Sequence, residues 1–325
     1  WLPHTDLDLV AVNFLESQSA GHPWLLACSG GADSVLLALL LFAHFPERRE
    51  SLTLAHFNHA LRGKDSETDE AFVHQLAAGL RLNFVTAIGS GEIRDEASLR
   101  EARLDFLRQT ASDCNAKVIL QGHQRDDVAE TLLWRLARGA GLAGLAAPRP
   151  VRHAGEVTFV RPLLSVSRED VRRLLKEAEG SWREDASNAS REYFRNRLRA
   201  GTMCAWREDA DRDVTSGAAR SRRLLEEADD ALEDWAKEVL AKNRIGEEVN
   251  LVALAQVPKA VRRKVVARWL NELAPGCFPD AKNLDQLLAA LNSRSSFKVN
   301  LSTNVWVETD GEKLRISGEH AATPT

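Results

Sequence analysis

The chain has 325 residues, of which 44% are hydrophobic and 28% are charged, and these values predict a soluble globular protein of two or three domains. Its net charge of −4 at pH 7 argues against a uniformly basic nucleic-acid-binding protein, although it allows a local basic surface. No apolar run could cross a bilayer, and the 4 cysteines never form a Cys-x-x-Cys pair, so we expect a reducing, cytoplasmic environment without disulfides.

The first strong signal is a short loop between a predicted strand at 25–28 and a predicted apolar helix at 33–44. The loop has the sequence Ser29-Gly30-Gly31-Ala32-Asp33-Ser34. Adjacent glycines allow several backbone N–H groups to converge on an anion, and a helix N-terminus adds the positive end of its dipole. An ordinary strand-to-helix turn capped by Ser34 explains the same residues. Neither the Walker loop nor the Gly-x-Gly-x-x-Gly fingerprint is present.

Strand-like and helix-like segments alternate from residue 24 to about residue 164, a pattern typical of a parallel sheet covered by helices. The remaining predicted strands lie at 52–57, 83–87, 118–121 and 157–160. The remaining predicted helices lie at 67–79, 96–112 and 127–138. Ligands of such sheets bind beyond the carboxyl ends of the strands, so polar residues at those ends are the candidates for a site.

Polar residues follow two of these strands. His56 and Asn58 end the second strand, and His123, Asp127 and Glu130 follow the fourth. On one helix, the last three would share a face, and two converging carboxylates bind a cation, either Mg²⁺ or an ammonium group. Helix capping by the acidic pair at 126–127 is the structural alternative. Because these residues follow a strand at the same edge of the sheet as the loop at Ser29, a binding site is favoured over helix capping.

Beyond residue 200 the chain becomes helical, with a long helix predicted at 218–241 and further helices at 259–272 and 283–291. Strands are predicted at 297–301, 305–308 and 313–316. We therefore expect a parallel-sheet α/β domain over residues 1–205, and a helical linker with a small α/β domain over residues 206–325. Basic residues that could attract phosphates are Arg195, Arg197, Arg199, Arg262, Arg263, Lys264 and Arg268, although such runs are more often solvated surface.

The loop at 29–34 resembles the SGGxDS pyrophosphate loop of the N-type ATP pyrophosphatases, the PP-loop superfamily. Further motifs follow in order at 56–63, 122–131, 135–145, 161–164, 182–188 and 195–199. Together they are similar to those of the tRNA(Ile)-lysidine synthetases. The resemblance implies a Rossmann-like PP-loop domain and an enzyme that uses ATP to join lysine to C2 of the wobble cytidine. That cytidine lies in the CAU anticodon of tRNA(Ile) and is first adenylated; pyrophosphate and AMP are released.

The resemblance also implies roles for individual residues. Four residues would hold the ATP phosphates, namely Ser29, Gly30, Gly31 and Ser34. Asp33 would position Mg²⁺ or the leaving pyrophosphate, and His56 and Asn58 would lie beside the nucleoside. Asp127 and Glu130 would hold the lysine substrate. The general base is left open between His123 and one of the carboxylates.

Two further expectations concern the RNA. Arg103 matches a family arginine and could face a phosphate or the flipped cytidine, whereas a solvated helix face is the plain alternative. Arg195, Arg197 and Arg199 are expected to contact the tRNA. The chain departs from the family pattern at 201–209, where a Leu- and Pro-marked helix is usual, so the domain junction could be built differently.

Several alternatives stay open on sequence grounds. A tRNA 2-thiolating enzyme would share the loop, but such enzymes typically use the Cys-x-x-Cys pair that is absent here. A superfamily amidotransferase would need a glutamine-hydrolysing domain with a nucleophilic cysteine. A non-catalytic RNA- or nucleotide-binding module would keep the fold without releasing pyrophosphate. The identity of the amine nucleophile and the presence of a homodimer are also left open.

Overall fold

The structure, a computed structural model, describes residues 7–19, 21–61, 63–91, 95–184, 194–274, 281–291, 296–302 and 305–317. The chain forms two compact units, Trp1–Glu226 and Glu227–Thr325, which we call the N-terminal and C-terminal units. No helix among the described residues is both long enough and apolar enough to span a membrane.

The N-terminal unit is built on a six-stranded sheet. Its strands are β1 (Trp24–Ala27), β2 (Leu52–Asn58), β3 (Asn83–Ile88), β4 (Val118–Gln121), β5 (Val151–Ala154) and β6 (Val157–Val160). Their order in space is β3-β2-β1-β4-β6-β5, and all neighbours run parallel except β5, which pairs antiparallel with β6. The predicted parallel sheet is therefore confirmed. The sequence did not predict β5, because its two central residues are exposed and carry no apolar pattern.

Helices cover this sheet on both sides. They are α1 (Leu9–Glu16), α2 (Ala32–His44), α3 (Lys64–Leu80), α4 (Glu96–Asp113), α5 (Arg125–Ala137), α6 (Leu142–Leu145), α7 (Arg168–Glu177), α8 (Phe194–Ala200) and α9 (Thr202–Asp209). The apolar residues of α2 join one core cluster, which includes the fully buried Leu37. Those of α4 join a second cluster with Ile119 and Phe159. The four helices predicted between the strands are confirmed, with small differences at their ends.

The C-terminal unit has its own core. Helix α10 (Val214–Asn243) begins in the N-terminal unit and ends in this one. It is followed by β7 (Arg244–Ile245), β8 (Glu248–Asn250), α11 (Leu251–Leu254), α12 (Lys259–Leu273), α13 (Ala281–Ala290), β9 (Phe297–Ser302), β10 (Val305–Thr309) and β11 (Lys313–Ser317). The strands form an antiparallel sheet in the order β7-β8-β11-β10-β9. The predicted helices and strands of this small α/β domain are confirmed, and its core includes the fully buried Trp269.

Candidate active site

The loop between β1 and α2 has the geometry of an anion site. Gly30 has φ +85, and a Cβ at this position would lie 3.3 Å from side-chain atoms of Phe72 and Val73. Gly31 is the N-cap of α2 and supplies no side chain to cap the first-turn amides. The Oγ of Ser34 donates to the carbonyl oxygen of Gly31 over 3.0 Å. The amides of the first turn of α2 are thus left to an outside acceptor.

The end of β4 lies directly against this helix start. An added Cβ on Gly122 would come within 3.0 Å of the backbone carbon of Asp33 and 3.1 Å of the backbone nitrogen of Ser34. Only a glycine allows this approach without a shift of the backbone. The structure therefore brings the loop at Ser29 and the segment that begins at His123 together, as the parallel topology predicts.

Helix α5 starts with a capping box that uses one of the predicted site residues. The Gln124 side chain accepts from the Asp126 backbone N–H over 2.6 Å, and Asp127 Oδ2 accepts from the Gln124 backbone N–H over 3.0 Å. Asp127 is thus a capping residue whose other oxygen faces the site. His123 lies before the N-cap, so the expectation that it shares a helix face with Asp127 and Glu130 is wrong; it lies half-buried in the loop after β4.

Two arginines neutralise the predicted carboxylate pair. Glu130, only 3% exposed, accepts from Arg199 Nε over 2.6 Å and from Arg168 Nη2 over 3.0 Å. Arg199 Nη2 also donates to Asp127 Oδ1 over 3.1 Å. Burial opposes the charge of Arg199, but the hydrogen bond and charge of Glu130, with the charge of Asp127, raise the pKa of this arginine. The two carboxylates converge on one cationic side chain, that of Arg199, and their predicted role in holding the lysine substrate stays a prediction.

A second pair of contacts extends the cluster. Asp126 is buried and accepts from Arg207 Nη2 over 2.6 Å and from the backbone N–H of Arg168 over 2.9 Å.

Burial raises the pKa of Asp33 to about 7, and the Asp127 carboxylate adds to the shift, while Arg168 and Arg199 oppose it. Sequence reasoning missed Arg168 and Arg207. The residues Ser167-Arg168-Glu169-Asp170, a capping signal for α7, could have drawn attention to the first of them.

His56 and Asn58 have structural contacts at the end of β2. His56 is buried, and its Nδ1 lies 2.9 Å from the carbonyl oxygen of Cys28. Asn58 Nδ2 donates to Glu70 Oε2 over 3.0 Å, while its Oδ1 accepts from the Ala60 backbone N–H over 2.8 Å. Both side chains therefore shape the loops beside the site. Their predicted position next to a nucleoside stays a prediction.

Among the other predicted basic residues, the structure describes the side chains of Arg103 and Arg197. Arg103 is half-buried on α4, and its predicted role is not tested by its position. On α8, Arg197 is exposed and its guanidinium carbon lies 5.8 Å from the centre of the Phe194 ring. The side chain of Arg195 and the predicted motif residues 185–188 lie outside the described residues.

Three of the basic residues of α12 form ion pairs within the C-terminal unit. Arg263 pairs with Asp285, Lys264 Nζ lies 2.6 Å from Asp229 Oδ1, and Arg268 pairs with Glu233 over 3.1 Å. These contacts favour the structural interpretation of that charge run over a phosphate-binding one.

Comparison with known proteins agrees with the geometry. The PP-loop domain family matches residues 6–205. The chain is 32% identical to the tRNA(Ile)-lysidine synthase of Geobacter sulfurreducens over 93% of its own length and 66% of that protein. It is also 32% identical to the tRNA(Ile)-lysidine synthase of Ruegeria pomeroyi, over 97% of its own length and 76% of that protein. The chain belongs to the tRNA(Ile)-lysidine synthase family of PP-loop proteins.

A solved structure and the lengths of the relatives give two further comparisons, one of the fold and one of the chain length. The U34-tRNA thiolase NcsA from Methanococcus maripaludis, solved with its [4Fe-4S] cluster, aligns with a TM-score of 0.52 at 19% identity. The alignment covers 63% of this chain and 72% of that one, and it supports the shared PP-loop fold alone. The chain spans about half to two thirds of the length of several tRNA(Ile)-lysidine synthases that it matches.

Proposed function

We propose that the protein uses ATP to join free lysine to C2 of the wobble cytidine in the CAU anticodon of tRNA(Ile). The product is lysidine, and AMP and pyrophosphate are released. The observation that carries the proposal is the close approach, in this chain, of the loop after β1 and the segment after β4. A glycine loop with uncapped first-turn amides lies against Gly122, just before the segment whose carboxylates, Asp127 and Glu130, hold the Arg199 guanidinium.

The loop supports a role in holding the phosphates of ATP. Backbone N–H groups of the first turn of α2 and the hydroxyl of Ser29 would donate to phosphate oxygens. The Gly31 N–H, which donates to Ser29 Oγ over 3.3 Å, and the Ser34 hydroxyl, which donates to the Gly31 carbonyl, would exchange these contacts for phosphate oxygens. Phosphoryl and adenylyl transfers depend mainly on positioning and charge neutralisation, and a rigid glycine loop supplies the positioning.

Asp33 is the residue that fits a Mg²⁺ ion. Burial raises its pKa to about 7 and the nearby carboxylate of Asp127 adds to this, so a cation beside Asp33 would stabilise its charged form. Mg²⁺ in nucleotide sites is held by one or two carboxylates together with phosphate oxygens, and Asp33 beside the loop offers that combination. A bound Mg²⁺ would neutralise charge on the phosphates.

The carboxylate pair supports a role in binding the amino acid. Asp127 and Glu130 hold the guanidinium of Arg199 in this structure, so their oxygens are already arranged for a cationic group. An ammonium group donates three hydrogen bonds and would use the same oxygens. Glu130 is buried, which strengthens its attraction to a cation relative to a solvated carboxylate.

The chemistry takes two steps. The O2 atom of the cytidine attacks the α-phosphorus of ATP, the bond to the β-phosphate oxygen breaks, and pyrophosphate leaves. The deprotonated amine of lysine then attacks C2, the C2–O2 bond breaks, and AMP leaves with O2. The amine must lose protons on the way, and His123, which follows β4, or a carboxylate of the cluster would accept one. A base inside a folded anticodon loop must be unstacked to reach this site.

The two domains predicted from the sequence would have separate roles. Residues 1–205 would carry the ATP and lysine chemistry, and residues 206–325 would supply a helical linker and a tRNA-binding domain. The match of the PP-loop family to residues 6–205 supports the first part. The partners are then tRNA(Ile) and free lysine, and the site of action is the cytoplasm.

The test is a labelling experiment with the purified chain, Mg²⁺, ATP and a tRNA(Ile) transcript with a CAU anticodon. Incorporation of labelled lysine and formation of AMP are measured for the wild type and for Asp127→Asn. The matched control is Asp105→Asn, a carboxylate on α4 that is 65% exposed and pairs with Arg108 on the surface. We expect stoichiometric incorporation in the wild type and control, and a loss of at least about tenfold in Asp127→Asn.

Two other outcomes would contradict the proposal. Formation of AMP without lysine incorporation would retain the adenylation step and assign the second step to another nucleophile. Absence of ATP turnover with this tRNA would favour a non-catalytic binding module.

A further inference from the structure

The N-terminal unit contains a cavity of about 610 Å³ whose lining is dominated by arginines. We call it the arginine pocket; its five arginines are Arg125, Arg168, Arg172, Arg207 and Arg212. Three carboxylates also line it, so its lining carries a net charge of +2 in a chain whose total is −4. The pocket is therefore positively charged although the whole chain is negatively charged, and a positively charged surface attracts polyanions.

Several of these guanidiniums have unused hydrogen-bond donors. A guanidinium has five N–H donors. In the described part of the chain, Arg172 engages only its Nη2, with Glu184, and Arg207 engages only its Nη2, with Asp126. The side chain of Arg212 is 87% exposed, and its closest carboxylate oxygen is 3.7 Å away, on Asp211. The pocket can therefore donate to an anion while its internal ion pairs stay in place.

Two lining residues also belong to the candidate active site. Arg168 binds Glu130 with its side chain and Asp126 with its backbone N–H, and Arg207 binds the other oxygen of Asp126. The pocket is thus continuous with the carboxylate cluster. A polynucleotide held in the pocket would therefore lie next to the residues that contact Glu130 and Asp126.

We propose that the arginine pocket binds the phosphate backbone of the RNA substrate next to the nucleotide that reacts. This inference rests on the proposed function. Phosphate contacts of this kind fix the register of a nucleic acid but carry no sequence information. The pocket would therefore supply affinity and position, whereas the active site would choose the base.

The test measures RNA binding with the full chain and not activity. Fluorescence anisotropy gives the Kd for a CAU tRNA(Ile) transcript between 50 and 200 mM salt for the wild type and for the double variant Arg172→Gln/Arg212→Gln. We expect the Kd of the double variant to rise about tenfold. The slope of log K against log salt should fall by about 0.7–0.9 for each phosphate that the variant no longer neutralises. The charge-preserving variant Arg172→Lys/Arg212→Lys should retain the slope.

The matched control lies on the same helix. Arg173 neighbours Arg172 in sequence, is 54% exposed and pairs with Asp170 and Glu177 outside the pocket. Arg173→Gln should change the Kd less than twofold. Thermal unfolding of all variants separates weaker binding from impaired folding. An unchanged Kd and salt slope in a folded double variant would overturn the proposal.

Further outcomes separate this inference from the proposed function. Pocket-dependent tRNA binding without lysine incorporation would support the docking site and refute the proposed chemistry. Lysine incorporation by the wild type, together with an unaltered Kd for tRNA in the double variant, would support the proposed chemistry and overturn the docking site. Calorimetry with inorganic pyrophosphate is the second arm: loss of pyrophosphate binding in the double variant, with unchanged RNA affinity, would assign the pocket to a free phosphate compound and overturn RNA docking. Failure of the wild type to bind the tRNA would overturn both.

Discussion

The Nε of Arg199 lies 2.6 Å from Oε1 of the buried Glu130, and this contact places a cation on the carboxylates proposed for the lysine substrate. Nη2 of the same arginine reaches Asp127 over 3.1 Å, so both carboxylates are engaged. An incoming amine must either share these oxygens or displace the guanidinium. Arg199 therefore links two predicted roles, because the arginine is expected to contact the tRNA whereas Asp127 and Glu130 are expected to hold the lysine.

The first prediction follows from this competition. In Arg199→Gln the guanidinium that competes for Asp127 and Glu130 is gone, although Arg168 still contacts Glu130. The Kd for lysine in the absence of RNA should therefore fall about threefold to tenfold, as measured by calorimetry. Arg197→Gln is the control, because Arg197 is exposed on the same helix. A higher Kd for lysine in Arg199→Gln would mean that the arginine assists amine binding.

The second prediction concerns Asp33 and pH. Burial raises the pKa of this carboxyl to about 7, above its usual value near 3.8. Between about pH 4 and pH 7 the native state therefore keeps a proton that the unfolded state has already released, so the stability linked to Asp33 is lost as the pH rises through that window. In Asp33→Asn the free-energy cost of ionising this buried carboxyl is absent. We expect it to be more stable than the wild type by about 1–2 kcal/mol at pH 8, after allowance for solvent screening.

The measurement for Asp33 is urea unfolding of the two proteins between pH 4 and pH 8. The difference in the free energy of unfolding should shrink as the pH falls from 8 to 4, because the unfolded carboxyl regains its proton only as the pH approaches its usual pKa near 3.8. A difference that does not depend on pH would show that Asp33 has an ordinary pKa. The same variant should bind MgATP more weakly, since the carboxylate proposed for the metal is gone.

The third prediction concerns Asp213, which lies just before α10. Its Oδ1 accepts from the backbone N–H of Thr215 over 2.9 Å and of Ser216 over 3.2 Å, and its Oδ2 accepts from Arg125 Nη2 over 3.0 Å. Asp213→Ala removes this cap and leaves Arg125 without its carboxylate. We expect the free energy of unfolding to fall by about 1–2 kcal/mol, as measured by urea unfolding. The exposed Asp211→Ala variant should change it by less than about 0.5 kcal/mol.

The sequence predicted those parts of the site that depend on local patterns. The glycine loop at Ser29, the parallel strands and the acidic residues at the start of α5 are each encoded within a few neighbouring positions, so residue type and spacing revealed them. The arginine contacts were not predictable in this way. Arg207 lies 81 positions from Asp126, and Arg168 lies 42 positions from it.

Helix α9, which carries Arg207, illustrates the difference. It has one buried residue, Met203. Its position depends on packing against distant segments such as the cluster of Leu132 and Ala218. Single-sequence patterns report local periodicity and caps, and they contain no information on such pairings.

The last prediction tests the contact that joins the two halves of the site. In Gly122→Ala the new Cβ would lie 3.0 Å from the backbone of Asp33, so β4 or the start of α2 must shift. We expect a loss of about 2–3 kcal/mol in the free energy of unfolding and at least about tenfold weaker MgATP binding, measured by urea unfolding and calorimetry. Gly79→Ala is the matched control, because Gly79 is exposed on α3 with nothing within 4 Å of an added Cβ. It should gain about 0.5–1 kcal/mol and bind MgATP normally. Equal nucleotide affinity in the two variants would show that the close approach at Gly122 does not shape the phosphate site.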